Sequence, residues 1–218
     1  MTTISDTLDR MQPLYSAVVC DVLDALGYKA QALPSELRPL TPAHRLIGRA
    51  YTARAAVVQE IPSEPYKLEI EAVERMSAGD ILIAECGGDR TCGFWGELLT
   101  TACLYKGVRG VVMDACTRDV WKIKELDFPV FGIGYHPGDS KGRVDIVELE
   151  CPVKFGGVEV RTGDYLLADE DGIVSIPADV LEETVRLALE KVSGENIVRK
   201  ELSEGVSMRE VFKKYGIL

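Results

Sequence analysis

Apolar positions along this chain alternate between two periods. Over Ala17–Leu26, the residues Val18, Val19, Val22, Leu23 and Leu26 recur at helical spacing, and Gly27 follows as a helix-ending residue. Pro65–Met76 carries the same period, with Pro65 tolerated in a first turn. Gly93–Tyr105 is apolar and predicts a helix, and Arg118–Glu125 predicts a shorter one. Ala178–Lys191 is a long amphipathic stretch, interrupted near Ser193-Gly194 and resumed over Glu195–Leu202. Val206–Lys214 predicts a last short helix.

Between these lie runs with strand character. Leu46–Val58, rich in Ala, Val, Tyr and Thr, predicts one long strand or a strand pair. Asp80–Glu85, Val108–Met113 and Phe128–Ile133 are short apolar runs, each separated from the next by a helical stretch. Ile146–Val153, Val158–Val160, Tyr165–Ala168 and Ile173–Ile176 follow closely, with turn signals at Thr162-Gly163-Asp164 and Asp169-Glu170-Asp171-Gly172. The proline-bearing segment Gln31–Ala43 predicts an irregular crossing. Strand–helix–strand units predict a parallel layer, and the later strands an antiparallel one, so the class is α/β. No internal repeat, low-complexity tract or linker divides the chain, so residues 1–218 are expected to form a single domain.

Composition narrows the function classes. Asp plus Glu number 35 against 25 Lys plus Arg, a net charge of -10, with no basic run. Such a surface repels phosphate backbones, so no nucleic-acid partner is expected. No apolar run approaches the ~20 residues that span a bilayer, so no membrane association is expected. The start, Met1–Arg10, is polar and lacks a signal-peptide core, which predicts a cytoplasmic protein. Six cysteines without a C-x-x-C pair, and two histidines, argue against a Cys/His zinc site. The thiols are expected to be reduced core residues.

Candidate chemistry concentrates between Trp95 and Asp119. Trp95-Gly96-Glu97-Leu98-Leu99 opens a helix whose first N–H groups lack internal partners, so the amides of Leu98 and Leu99 can hold a carboxylate. The strand Val108–Met113 runs into Asp114-Ala115-Cys116-Thr117-Arg118-Asp119, which puts a fixed cation and a hard oxygen ligand at a strand's carboxyl end. Mg²⁺ or Mn²⁺ suits such oxygens. The same residues also fit a plainer reading, in which Asp119 caps a helix, Arg118 lies on its solvated face and Glu97 is a first-turn acid. Cys92 and Cys116 flank the stretch, Lys106 sits at a helix end, and Arg90, His136 and Arg143 are candidate substrate-side residues.

With these residues in place, the chain resembles the RraA-like family. That family includes class II pyruvate aldolases (4-hydroxy-4-methyl-2-oxoglutarate aldolase) and protein regulators of ribonuclease E. Its signature is an acid, twenty residues, then Arg-Asp; here Glu97 precedes residues 98–117 and Arg118-Asp119. WGELL at 95–99, KGVRGVVMD at 106–114 and the turn-rich stretch Val160–Pro177 resemble the family too, and the likeness extends from near Asp21 to Leu218.

The resemblance implies a layered α/β/β/α fold with mixed strands and a homotrimer or hexamer. It implies a lyase that cleaves 4-hydroxy-2-oxo acids to pyruvate, with oxaloacetate decarboxylation as a side activity. Asp119 would ligate Mg²⁺ or Mn²⁺, and Glu97, where characterised aldolases have Asp, would hold a metal-bound water. Arg118 would bind the keto oxygen and stabilise the enolate, and the Leu98 and Leu99 amides would bind the carboxylate. A further acid would come from a neighbouring subunit's C-terminal region; Glu195 is the best match, with Glu190, Glu201 and Glu204 as alternatives. The resemblance equally admits a non-catalytic regulator that binds ribonuclease E. No Gly-rich nucleotide loop supports the methyltransferase label that some family members carry.

Overall fold

The structure, a computed structural model, describes residues 3–217. Positions 1, 2 and 218 of the expected 1–218 domain lie outside the described residues. The chain opens with helices α1 (Ile4–Met11) and α2 (Ser16–Ala25), then strands β1 (Arg38–Pro39) and β2 (Leu46–Val57). Next come α3 (Lys67–Arg75), β3 (Asp80–Glu85), β4 (Gly93–Trp95), α4 (Glu97–Lys106), β5 (Gly110–Met113), β6 (Cys116–Thr117) and α5 (Val120–Glu125). Strands β7 (Val130–Gly132), β8 (Gly134–Tyr135), β9 (Val144–Leu149), β10 (Val153–Phe155), β11 (Val158–Val160), β12 (Tyr165–Ala168) and β13 (Ile173–Ile176) follow. Helices α6 (Leu181–Ser203) and α7 (Met208–Tyr215) close it.

The long strand β2 organises the main sheet, whose order is β1-β7-β5-β3-β2-β12-β13. One edge of β2 pairs in parallel with β3, from Arg49–Asp80 to Arg54–Glu85. The other edge pairs antiparallel with β12 in its first half and with β9 in its second, with a register shift between Arg54 and Ala55. One strand thus serves two partners along one edge, which curls the sheet. Parallel pairs β3–β5 and β5–β7 complete the predicted parallel layer, and β12–β13 is the predicted hairpin. The class is α/β with mixed strands, as expected.

Alternation along β3 shows how the layers form. Leu82 and Ala84 point into a core with Met76, Cys103 and Ile123 beneath α3, α4 and α5. Ile81 and Ile83 point the other way, against Val153, Phe155, Val158 and Val160 of the β10–β11 hairpin. Helices α1, α2 and α6 pack over β12 and β13 through Met11, Leu23, Val185 and Leu167. Five cysteines are buried and Cys20 is partly so, all as free thiols. Among the described residues no helix is long and apolar enough to cross a membrane.

Several expected boundaries move. Gly93–Tyr105 is not one helix: Gly93–Trp95 forms β4, parallel to β6, and α4 starts at Glu97. The expected helix Arg118–Glu125 starts only at Val120, because Cys116–Thr117 continues as strand and Asp119 turns left-handed. The strand expected over Val108–Met113 begins at Gly110, since the Val108 N–H turns back to the Cys103 carbonyl and closes α4. Ile146–Val153 breaks after Leu149 at Glu150, which has φ 55°. The interruption at Ser193-Gly194 does not occur, and α6 runs unbroken. Glycine in a helix costs about 1 kcal/mol relative to alanine, and here it leaves room for the chain end: a Cβ on Gly194 would sit 2.8 Å from Ile217 Cδ1. Helix α1 falls in the polar N-terminal stretch; Thr3 and Asp6 form its capping box, and Leu8 and Met11 bury its inner face.

Candidate functional site

The two halves of the Glu97–Arg118-Asp119 motif are joined through one carbonyl. Trp95 O accepts from the Arg118 N–H at 2.8 Å and from the Thr117 hydroxyl at 2.9 Å. Gly96 follows in an extended conformation, and a Cβ there would lie 2.9 Å from Asp119 Oδ2, so the close approach requires glycine. Asp119 itself is left-handed at φ 56°, ψ 27°. Its carboxylate makes no capping bond to α5; instead Oδ2 accepts from the Glu97 N–H, the first amide of α4, at 3.3 Å. The plainer reading holds for position only: Asp119 is the N-cap residue of α5, but its side chain caps α4 instead. A non-glycine residue held left-handed stores strain, which is a common mark of functional positions.

Arg118 is half-buried between two carboxylates. Nε lies 3.8 Å from Asp119 Oδ2 and Nη2 3.5 Å from Asp139 Oδ1. Asp139 also accepts from the Tyr66 hydroxyl at 2.7 Å and the Lys141 N–H at 3.4 Å. Desolvation pushes the Asp139 carboxyl up, but the Tyr66 and backbone hydrogen bonds and the Arg118 charge outweigh it and leave it below the usual range. Desolvation and Asp139 together push the Tyr66 hydroxyl up to about 12.

These groups line a cleft of about 290 Å³ with Leu98, Leu99 and Glu69. Glu69 is only 6% exposed, and its Oε1 has no hydrogen-bond partner among the described residues. Burial, with the Asp145 and Asp139 carboxylates, pushes its acid up to about 8 against the opposing pull of Arg118 and Ser140. Burial thus favours its protonated form near neutral pH.

Glu97 stands in the first turn of α4, where its Oε1 accepts from the Thr101 hydroxyl at 2.9 Å. Leu98 and Leu99 follow it at the cleft, and α4 has no side-chain cap at its glycine N-cap. Arg118, Asp119 and the amide end of α4 are thus brought together in one chain. Glu195 is not: it lies on α6, which packs against α2, and accepts from the Tyr15 hydroxyl. The alternatives are paired as well: Glu190 with Arg186 on α6, Glu201 with Lys214 of α7, and Glu204, just past α6, with Lys200.

The other candidates have structural partners. Arg90 donates to Ile133 O, and Arg143 to Asp139 O, where it supports the Asp139 loop. His136 Nδ1 accepts from the Gly138 N–H within its turn. Lys106 donates to the Glu74 carbonyl at a helix end, as a surface residue would. Burial and Asp89 push the Cys92 thiol up to about 12, and burial raises that of Cys116, so neither is poised as a thiolate.

Sequence reasoning missed Tyr66, Glu69 and Asp139. For Glu69 a signal existed: it shares spacing with Ala72, Val73 and Met76, the buried face of α3, and an acid on an apolar face marks a site.

A hard divalent ion fits part of this site. Asp119 is exposed, and its Oδ2 accepts from the Glu97 N–H at 3.3 Å beside Arg118 Nε at 3.8 Å, while the Glu97 carboxylate accepts from Thr101 in the first turn of α4. Among the described residues no group of three or more His, Cys, Asp or Glu converges as a metal cage. Mg²⁺ commonly binds through one or two carboxylates and keeps several waters, so the donor chemistry suits Mg²⁺ or Mn²⁺ and not zinc.

Known proteins share this arrangement of chain. The family model described as RraA-like, Aldolase/RraA, matches residues 16–175. Protein DlpA of Legionella pneumophila is 27% identical over 217 residues, 98% of this chain, and this chain spans 34% of its length. A Halalkalibacterium halodurans protein named "Putative 4-hydroxy-4-methyl-2-oxoglutarate aldolase" is 26% identical over 92% of this chain and 90% of its own. The crystal structure of Streptomyces coelicolor RraAS2, described as an unusual member of the RNase ES inhibitor RraA protein family, matches with a TM-score of 0.79. It is 27% identical and covers 90% of this chain and 98% of that one. With a family match across most of its length and a shared fold, this chain belongs to the RraA-like family.

Proposed function

We propose that this protein is a divalent-metal-dependent lyase that cleaves 4-hydroxy-2-oxo acids to pyruvate. The observation that carries the reading is the meeting of Arg118, Asp119 and the amide end of α4 at one cleft. Asp119 and Glu97 would hold Mg²⁺ or Mn²⁺, with Glu195 of a neighbouring copy completing the site in a trimer or hexamer. The ion, when bound, supplies Lewis-acid polarisation of the keto oxygen.

The chain's own groups account for the rest. The Leu98 and Leu99 amides, at the positive end of α4, hold the substrate carboxylate. Arg118 donates to the keto oxygen. In the retro-aldol step the C3–C4 bond breaks, the C4 hydroxyl loses its proton and becomes a carbonyl, and the electron pair passes to the C2–C3 enolate. Glu97 takes that proton through an intervening water, and protonation at C3 gives pyruvate. Arg118 faces the negative charge as it develops; removing one such donor typically costs about 3–4 kcal/mol of barrier. Decarboxylation of oxaloacetate passes through the same enolate, so it is the expected side activity.

The test is pyruvate release from 4-hydroxy-2-oxo acids and oxaloacetate with Mg²⁺ or Mn²⁺, beside an Asp119→Ala control. No pyruvate from any of them ends this reading. The similarity to the Streptomyces coelicolor protein favours a second one, a regulator that binds a ribonuclease of the E type. Salt-sensitive capture of such a ribonuclease would support it.

A further inference from the structure

We propose that the chain carries a second small-molecule site, separate from the Arg118 cleft, which binds an α-amino acid with an apolar side chain. Strands β3, β5 and β7 run parallel, and in α/β sheets ligands gather beyond the carboxyl ends of such strands. Beyond these three ends lies a cavity of about 250 Å³. Gly88 follows β3, Asp114 follows β5 and Ile133 follows β7, and all three line it together with Phe155 of the β10–β11 hairpin. None of these residues lines the cleft at Arg118, so the inference is independent of the lyase reading. The volume falls short of the about 300 Å³ at which pockets for drug-sized ligands begin, which points to a metabolite-sized occupant.

Two opposite charges line this cavity without pairing. Among the described residues Arg90 and Asp114 are each held by backbone in place of an opposite charge. Arg90 donates to Ile133 O at 2.7 Å, which leaves most of the guanidinium's donors for a carboxylate. Asp114 accepts from the Gly88 N–H at 2.8 Å and from the Cys86 N–H, and each of its oxygens keeps a lone pair free. Asp114 is half-buried, and burial pushes its acid up against the pull of those amides. A ligand ammonium would supply the cation that this carboxylate lacks.

The rest of the lining repeats the pattern. Glu36 and Lys154, one acid and one base, stand at exposed positions on it, with Lys154 Nζ also 3.8 Å from Glu159. A simple anion placed here would meet Asp114 and Glu36, and a simple amine would meet Arg90 and Lys154. Like charges brought together oppose binding, so a zwitterion finds partners at both poles where either single ion does not. The apolar remainder of the lining includes Leu37 and Phe155, both buried, and the half-buried Ile133. An aliphatic or aromatic side chain removes apolar surface from water against them. Carboxylate at Arg90, ammonium at Asp114 and carbon on this wall together describe an apolar α-amino acid.

L-Leucine is the probe, titrated into the full chain by calorimetry with ligand-observed NMR beside it. It is expected to occupy a single site per chain with a Kd below about 1 mM. Three analogues each lack one feature: 4-methylpentanoate the ammonium, 3-methylbutylamine the carboxylate and glycine the side chain. Each should bind at least about tenfold more weakly. Arg90→Met, at an exposed position, should abolish the preference for L-leucine over 3-methylbutylamine, and Asp114→Asn the preference over 4-methylpentanoate. Arg118→Lys should leave L-leucine binding unchanged, which assigns it to this cavity and not to the cleft. No binding of L-leucine up to about 5 mM overturns the proposal, as does an analogue that binds as tightly. Preferences that persist in both Arg90→Met and Asp114→Asn, or binding lost in Arg118→Lys, overturn it equally.

Discussion

The Asp119 carboxylate accepts from the Glu97 N–H at 3.3 Å, so the last residue of the motif caps the helix that begins at its first. Asp119 pays for this with a left-handed backbone at φ 56°. Two residues far apart in the chain thereby form one corner of the cleft, with Arg118 between that corner and Asp139.

Replacing Asp119 with glycine should separate stability from function. Glycine accepts the left-handed turn without a Cβ penalty, so unfolding free energy should change by less than about 1 kcal/mol. Calorimetric Mg²⁺ binding and pyruvate release should both be lost. A variant that keeps Mg²⁺ affinity would remove Asp119 as a metal ligand.

Arg118→Lys retains the charge but not the planar fork that, on the lyase reading, would span the keto oxygen and Asp139. With the lyase reading, kcat should fall by at least about 100-fold while the melting temperature stays close to the parent's. Steady-state kinetics beside thermal denaturation would read both, and an unchanged kcat would exclude Arg118 from the reacting oxygen.

Gly96→Ala tests the close approach directly. The added Cβ would sit 2.9 Å from Asp119 Oδ2, so the carboxylate must turn away. Metal affinity should drop by about tenfold or more, since one displaced ligand of a weak site is worth at least that. Mg²⁺ titration by calorimetry checks it, with circular dichroism to confirm the fold.

Glu69 gives stability an unusual pH dependence. Its native acid is raised to about 8 from an ordinary 4.5, so between these values the folded chain binds the proton that the unfolded chain has released. Its contribution is therefore full at low pH and is lost as pH rises through about 8, opposite to the usual carboxylate. Glu69→Gln keeps the neutral shape and should flatten this slope, making the variant more stable than the parent at pH 8.5 and similar at pH 5. Urea denaturation at both pH values measures it; parallel profiles would mean that Glu69 is not held neutral.

Much of this protein is determined locally and can be read from the chain alone. The alternation of Ile81 to Ala84 and the helical spacing at Val18 to Leu26 follow from side-chain period, which burial on one face imposes directly. The interval from Glu97 to Arg118-Asp119 is likewise visible as a spacing. Only the tertiary structure decided that Gly93–Trp95 leaves the helical pattern for a strand, because its partners are Cys116 and the Gly138 carbonyl, contacts that local period does not encode. The same holds for Asp119, whose turn answers the amide of Glu97 and not its own helix. It holds most of all for Tyr66, Glu69 and Asp139, which meet Arg118 through packing of α3 against β9 and the Asp139 loop. Hydrogen bonds between distant segments leave no periodic trace, so this side of the cleft became visible only when the chain was folded.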